Sequence, residues 1–268
     1  MMFHAKFGTI PMQDTFMEYI RFGTGKRILV MLPGLGDSLR SMKGTAIPVA
    51  MMYRMFSKVF TVYVFSRKSN LPAGCTTRDM ARDQARAMEI LGIESADVFG
   101  VSMGGMIAQY LAVDYPEKVN KLILAVTSAR PNAILKESIA EWMDCAQRGD
   151  HTAFMGSNLR RIYSDTYCRK NAWMVPLLGK LAKPKSYNRF FVQANACLKH
   201  NAYDTLHMIQ SSTFVIGGEQ DKALGGDPSL EIAEKIPRAK LLMYSQWGHG
   251  LYEEAKDFNR VVMEFLNT

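Results

Sequence analysis

Ser102 stands in G-V-S-M-G (100–104), between two glycines, after one apolar run and ahead of another. A serine hydroxyl is a weak nucleophile. It attacks a carbonyl when a base takes its proton and a third group orients that base. Five histidines are available. His249 lies in S-Q-W-G-H-G (245–250), beside glycines that let a loop carry it over a sheet edge. His4 falls in an N-terminal strand. His151, His200 and His207 fall in helical sequence, where surface or packing roles are the plain reading. The acid should follow a strand between these two residues. Past residues 121–127 no carboxylate appears before Glu137, whereas past 212–218 the chain reads G-G-E-Q-D-K-A-L-G-G-D (217–227). Asp221 is the favoured acid. Glu219 sits close to the strand end, and Asp227 reads as a helix N-cap before Pro228.

Short runs rich in Val, Ile and Phe must position these groups. Strands are expected at 27–32, 60–65, 96–101, 121–127, 212–218 and 240–245, with an N-terminal hairpin near 3–9 and 15–22. Helices are expected at 76–92, 103–115, 228–236 and about 250–267. The first has a Thr cap, an acidic first turn, apolar residues at helical spacing and Gly92 as a stop. Strands of near-continuous apolar character separated by helices imply an α/β chain with a mostly parallel sheet covered on both faces. Ser102 then occupies a sharp strand-to-helix turn, and the N-terminus of the helix from Met103 favours negative charge beside it.

Residues 128–210 contain no convincing strand and read as several helices with Pro176 and Pro184 between them. This segment leaves at a strand's carboxyl end, where open α/β sheets bind ligands. It is therefore expected to be a helical cap, with 1–127 and 211–268 forming the core. Within it, Trp142 and Trp173 are candidate substrate contacts, and Phe190 and Phe191 are further aromatics. Of the 19 methionines, several fall beside Ser102 or in the cap, where thioethers fill irregular gaps.

The order Ser102, Asp221, His249, carried by G-V-S-M-G, G-G-E-Q-D and W-G-H-G, resembles that of the α/β-hydrolase superfamily. The small carboxylesterase, lipase-like and enol-lactonase-like members are the nearest in kind. The resemblance implies ester hydrolysis through an acyl-enzyme. Lactone or C–C bond hydrolysis, peptidase action or cofactor-free perhydrolysis are alternatives on the same residues, and a non-catalytic binding protein is a more distant one. It also implies an oxyanion hole at L-P-G-L-G-D-S (32–38). Gly34 and Gly36 match the family's H-G-x-G, and Pro33 stands in place of the histidine. By this match the donors are the N–H groups of Leu35 and Met103, with Gly34 beside the substrate.

Bulk properties fit an enzyme of this kind. At 268 residues, 48% apolar and 22% charged, the chain can bury a core without staples. No signal-like start or membrane-length apolar run is visible. The four cysteines have no C-x-x-C spacing and read as reduced thiols, which points to the cytoplasm. No metal-ligand spacing occurs, G-L-G-D-S-L lacks the third glycine of a dinucleotide loop, and no cofactor is expected. Net charge is +8, and residues 128–210 hold 12 Lys and Arg against 6 Asp and Glu. That excess reads as a solvated basic face, or else as a mouth favouring anionic esters. No motif calls for nucleic acid, and oligomeric state is not written in the sequence.

Overall fold

The apolar runs build a single sheet. The computed structural model describes residues 2–268, in which eight strands pair in the order β1-β2-β4-β3-β5-β6-β7-β8. They are β1 (Lys6–Met12), β2 (Thr15–Phe22), β3 (Arg27–Leu32), β4 (Phe60–Lys68), β5 (Ala96–Val101), β6 (Val119–Ala125), β7 (Ser212–Gly218) and β8 (Lys240–Tyr244). β1 and β2 form an antiparallel hairpin, β2 runs antiparallel to β4, and every later pairing is parallel. The helices are α1 (Ala46–Met52), α2 (Thr77–Ile90), α3 (Met103–Asp114), α4 (Ala133–Gln147), α5 (His151–Ile162), α6 (Asp165–Asn171), α7 (Val175–Leu181), α8 (Asn188–Leu198), α9 (Asp227–Lys235), α10 (Leu251–Glu254) and α11 (Phe258–Asn267).

Both faces of the sheet are covered. Val30 and Leu32 of β3 point into a core shared with α2 and α3, while Leu29 and Met31 point into the opposite core with Phe258, Val262 and Phe265 of α11. β5 is buried throughout, as the central strand of such a sandwich must be. α2 starts with a capping box between Thr76 and Asp79 and buries Met80, Ala81, Ala85 and Met88. α4 to α8 all lie between β6 and β7.

The elements differ from the sequence expectation in five places. β1 starts at Lys6, because Met2–His4 form a 3-10 turn, and it extends to Met12 so that Ile10 and Met12 are buried. The sequence pattern does not announce α1, because Pro48 interrupts A-I-P-V-A-M-M. Pro48 is tolerated there because first-turn N–H groups have no intrahelical acceptor. Pro176 lies in the first turn of α7, not between helices. Asp227 is the first residue of α9, and Gly226 takes the cap position without a side-chain bond. The terminal helix is two helices, parted at Ala255, whose backbone is extended.

Candidate active site

Three loops at the carboxyl ends of the strands bring the reactive groups together. Ser102 joins β5 to α3 with φ 53° and ψ −122°, a conformation that costs a non-glycine residue on the order of 1–3 kcal/mol. The surrounding bonds hold it there. Its N–H donates to Ala125 O at 2.9 Å, and its carbonyl accepts from Gly105 N at 2.8 Å and Thr127 Oγ1 at 2.7 Å. The motif glycines make the turn possible. A Cβ on Gly104 would lie 1.9 Å from Leu32 O, and one on Gly100 would lie 2.6 Å from Gly104 O.

His249 Nε2 is 3.0 Å from Ser102 Oγ, and its Nδ1 is 2.8 Å from Asp221 Oδ2. The other Asp221 oxygen accepts the Ala223 and Leu224 N–H groups, each at 2.8 Å. Those two amides fix the carboxylate and leave one oxygen for the imidazole. Both side chains are buried. The acid and base loops lie backbone to backbone, with Gln220 N donating to Trp247 O at 3.2 Å. A Cβ on Gly218 would come within 2.4 Å of Trp247 O, which explains a glycine at the strand end. Glu219 and Asp227 are exposed and do not join this chain of bonds.

The remaining histidines have other partners or none. His151 bonds Tyr187 and stacks on Phe154. His200 bonds Thr77 and Gln109, and burial pushes its pKa down to about 3, so its ring is neutral. His4 and His207 lie at the surface.

The L-P-G-L-G-D-S loop runs beside the serine: a Cβ on Gly34 would sit 3.3 Å from Ser102 Cβ. Leu35 opens a 3-10 turn and Met103 opens α3, so neither N–H has an acceptor within its own helix. Ser102, His249 and Gly34 line a cavity of about 480 Å³ whose walls are mostly apolar. The segment between β6 and β7 contributes Trp142, Phe154, Met155, Ile162 and Phe190. Trp173 does not reach it. That side chain is 72% exposed in a single 3-10 turn between α6 and α7, and Phe191 is likewise absent from the wall. None of the Lys and Arg residues of 128–210 lines this cavity. Arg160 and Arg161 pair with Glu137 and Glu141, and Arg148 with Asp144.

Comparison with known proteins decides the family. The family model described as alpha/beta hydrolase fold matches residues 27–161, half of the chain. The chain belongs to the α/β-hydrolase family. A 2-hydroxy-6-oxononadienedioate/2-hydroxy-6-oxononatrienedioate hydrolase of Pseudomonas sp is 26% identical over 253 residues, covering 91% of this chain and 89% of that one. An alpha/beta hydrolase enzyme from a Medee basin deep-sea metagenome library superposes with TM-score 0.84 at 23% identity, covering 97% of this chain and 98% of that one. The enol-lactonase of Burkholderia xenovorans LB400 superposes with TM-score 0.81 at 19% identity over 97% of this hydrolase and 100% of that chain.

With Pro33 at its head, this hydrolase's glycine loop is braced by Arg67, Asp37 and Arg189. Arg67, at the end of β4 and 2% exposed, donates to Pro33 O. Its Nη1 lies 3.7 Å from Asp37 Oδ2. Asp37 Oδ2 also accepts from Ser66 Oγ at 2.8 Å and from Arg189 of α8 at 3.1 Å. Arg189 donates further to the carbonyls of Asp37 and Arg67, tying α8 to the loop. Burial lowers the Arg67 pKa to about 10, with Asp37 opposing and Arg189 adding to the fall, so the guanidinium stays charged at neutral pH. Sequence reasoning misses these three residues. The signal that could have found them is an arginine inside the apolar run F-T-V-Y-V-F-S-R-K (60–68) together with an aspartate directly after L-G-L-G.

Proposed function

We propose that this hydrolase cleaves carboxylic esters through an acyl-enzyme on Ser102, with residues 128–210 as a cap over the acyl pocket. The hydrogen-bonded series Ser102–His249–Asp221 at the wall of an apolar cavity carries the reading. His249 Nε2 removes the Ser102 proton as Oγ attacks the acyl carbon. The N–H groups of Leu35 and Met103 hold the oxygen that becomes negative. Asp221 fixes the imidazole tautomer and stabilises the imidazolium. The imidazolium proton goes to the leaving alkoxide as the C–O bond breaks. Water, deprotonated by His249, then attacks the acyl-enzyme and releases the acid.

C–C bond hydrolysis is the second reading, favoured by the similarity to the Pseudomonas relative. That relative is named for a dicarboxylate substrate. The charged side chains on this cavity wall, apart from His249, are Arg40 against Asp37 and Glu253. A wall with that balance suits a neutral apolar acyl group better than a dianion. The four free thiols support a reducing, cytoplasmic compartment.

A panel of p-nitrophenyl esters of increasing acyl length, run beside a 2-hydroxy-6-oxo-dienoate, tests the choice. Ester turnover that depends on Ser102 and exceeds dienoate cleavage is expected. Efficient dienoate cleavage with poor turnover of every ester would reverse the assignment.

A further inference from the structure

A second cavity, of about 530 Å³, lies on the other side of the Arg67 brace. Leu39 and Arg40 line both cavities, so the two are neighbours. Its wall carries Arg40, Arg67, Lys183, Lys185 and Arg189 against one carboxylate, Glu18. Glu18 is already engaged by Ser41 Oγ at 2.6 Å and by Met42 N at 2.7 Å. Arg40, Lys183 and Lys185 form no ion pair among the described residues, in contrast to Arg148, Arg160 and Arg161. Behind them, Arg67 and Arg189 share the single carboxylate of Asp37. The Nε and Nη1 of the buried Arg67 have no hydrogen-bond acceptor. A buried guanidinium, Arg67, and a part-buried one, Arg189, on one carboxylate leave an uncompensated positive charge, an arrangement that is costly for the buried member unless an anion completes it. Five serines also line the wall; Ser38, Ser41 and Ser66 donate to Leu35 O, Glu18 and Asp37, which leaves Ser69 and Ser186 as the hydroxyls without such a commitment.

We infer that this cavity is an anion site for the phosphate group of an organic phosphate. A phosphate dianion offers oxygens in several directions and meets guanidinium and ammonium groups together, whereas a carboxylate would leave most of these donors idle. The volume also exceeds the needs of a lone inorganic ion, leaving room for the body that carries the phosphate. Of the 12 Lys and Arg residues of 128–210, Lys183, Lys185 and Arg189 line this cavity, and none lines the one at Ser102. An anion seated here neutralises the groups that hold Asp37 and Pro33, so its occupancy should stiffen the glycine loop and its tie to α8.

Binding is read without turnover, so the site stands or falls separately from the ester reading. Calorimetry with inorganic phosphate and with pyrophosphate, at ionic strength matched with sodium chloride, is expected to give one site per chain and a rise in Tm that chloride does not reproduce. The double variant Lys183→Ala/Lys185→Ala, which leaves the Ser102 cavity untouched, should bind at least tenfold more weakly while keeping kcat/KM on a neutral ester. No heat above the chloride control, or equal affinity in the variant, overturns the site. A phosphate-bearing ester then separates the sources. A gain in kcat/KM over its neutral counterpart that disappears in the variant places the phosphate on the substrate. Phosphate binding without such a gain places it on a free effector.

Discussion

The hydroxyl of Ser102 has value only as the end of a chain of three groups, so its partners should not contribute independently. Ser102→Ala and His249→Ala are each predicted to lower kcat by about 10⁴-fold or more, and the double variant by little beyond the worse single. Multiplicative losses in steady-state kinetics would mean two separate functions. Asp221→Asn should cost about 10⁴-fold by presenting the wrong histidine tautomer. Glu219→Gln and Asp227→Asn, both exposed, should stay near wild type. The same motifs that made these residues legible also explain their geometry: glycines at 100, 104, 218 and 248 stand where a Cβ would strike backbone. Trp142 and Trp173 were not equally legible. Trp142 follows Leu135, Ser138 and Ile139 at helical spacing and so shares their buried face, whereas Trp173 sits in a short turn with no period to orient it.

At the level of elements, the central strands β3, β5, β6 and β7 were plain because they are buried on two sides and read as nearly unbroken apolar runs. Helices were plain only where caps and period agreed, as in α2. The break at Ala255 and the start of α1 at Ala46 carry no such signal, since both depend on packing against distant segments. The brace at the end of β4 joins elements far apart in the chain. Arg67 and Asp37 are 30 residues apart, and Arg189 is 152 residues from Asp37. Arg67→Met removes the donor to Pro33 O while leaving Asp37 paired with Arg189. If the loop's amides act on the transition state as proposed, kcat should fall about 10- to 100-fold with KM nearly unchanged, less than the loss of an oxyanion donor itself. Arg67→Lys, which restores the charge without the planar fork, should recover only part of it. A change confined to KM would show that the brace shapes substrate binding instead.

Across the whole molecule, His200 links α2, α3 and the loop entering β7. It bonds Thr77 Oγ1 at 2.8 Å, and its ring lies out of water. Its folded pKa is lowered to about 3 by burial, below the ordinary value near 6.5. The unfolded chain therefore binds a proton that the folded chain refuses, and stability falls as pH drops through that interval. The contribution is on the order of 1 kcal/mol per pH unit. Denaturant unfolding from pH 7 to pH 4 should give a steeper loss for the wild type than for His200→Gln. Parallel slopes would show that the carboxylates alone govern acid stability.

The proposed covalent acyl–Ser102 intermediate is read directly by pre-steady-state kinetics with acid quench. Mixing the enzyme with a p-nitrophenyl ester should release a burst of about one p-nitrophenolate per active site. Mass spectrometry of the quenched protein should place the acyl group on the peptide containing Ser102. Product formation at full rate with no burst, and no acyl mass on that peptide, would contradict it.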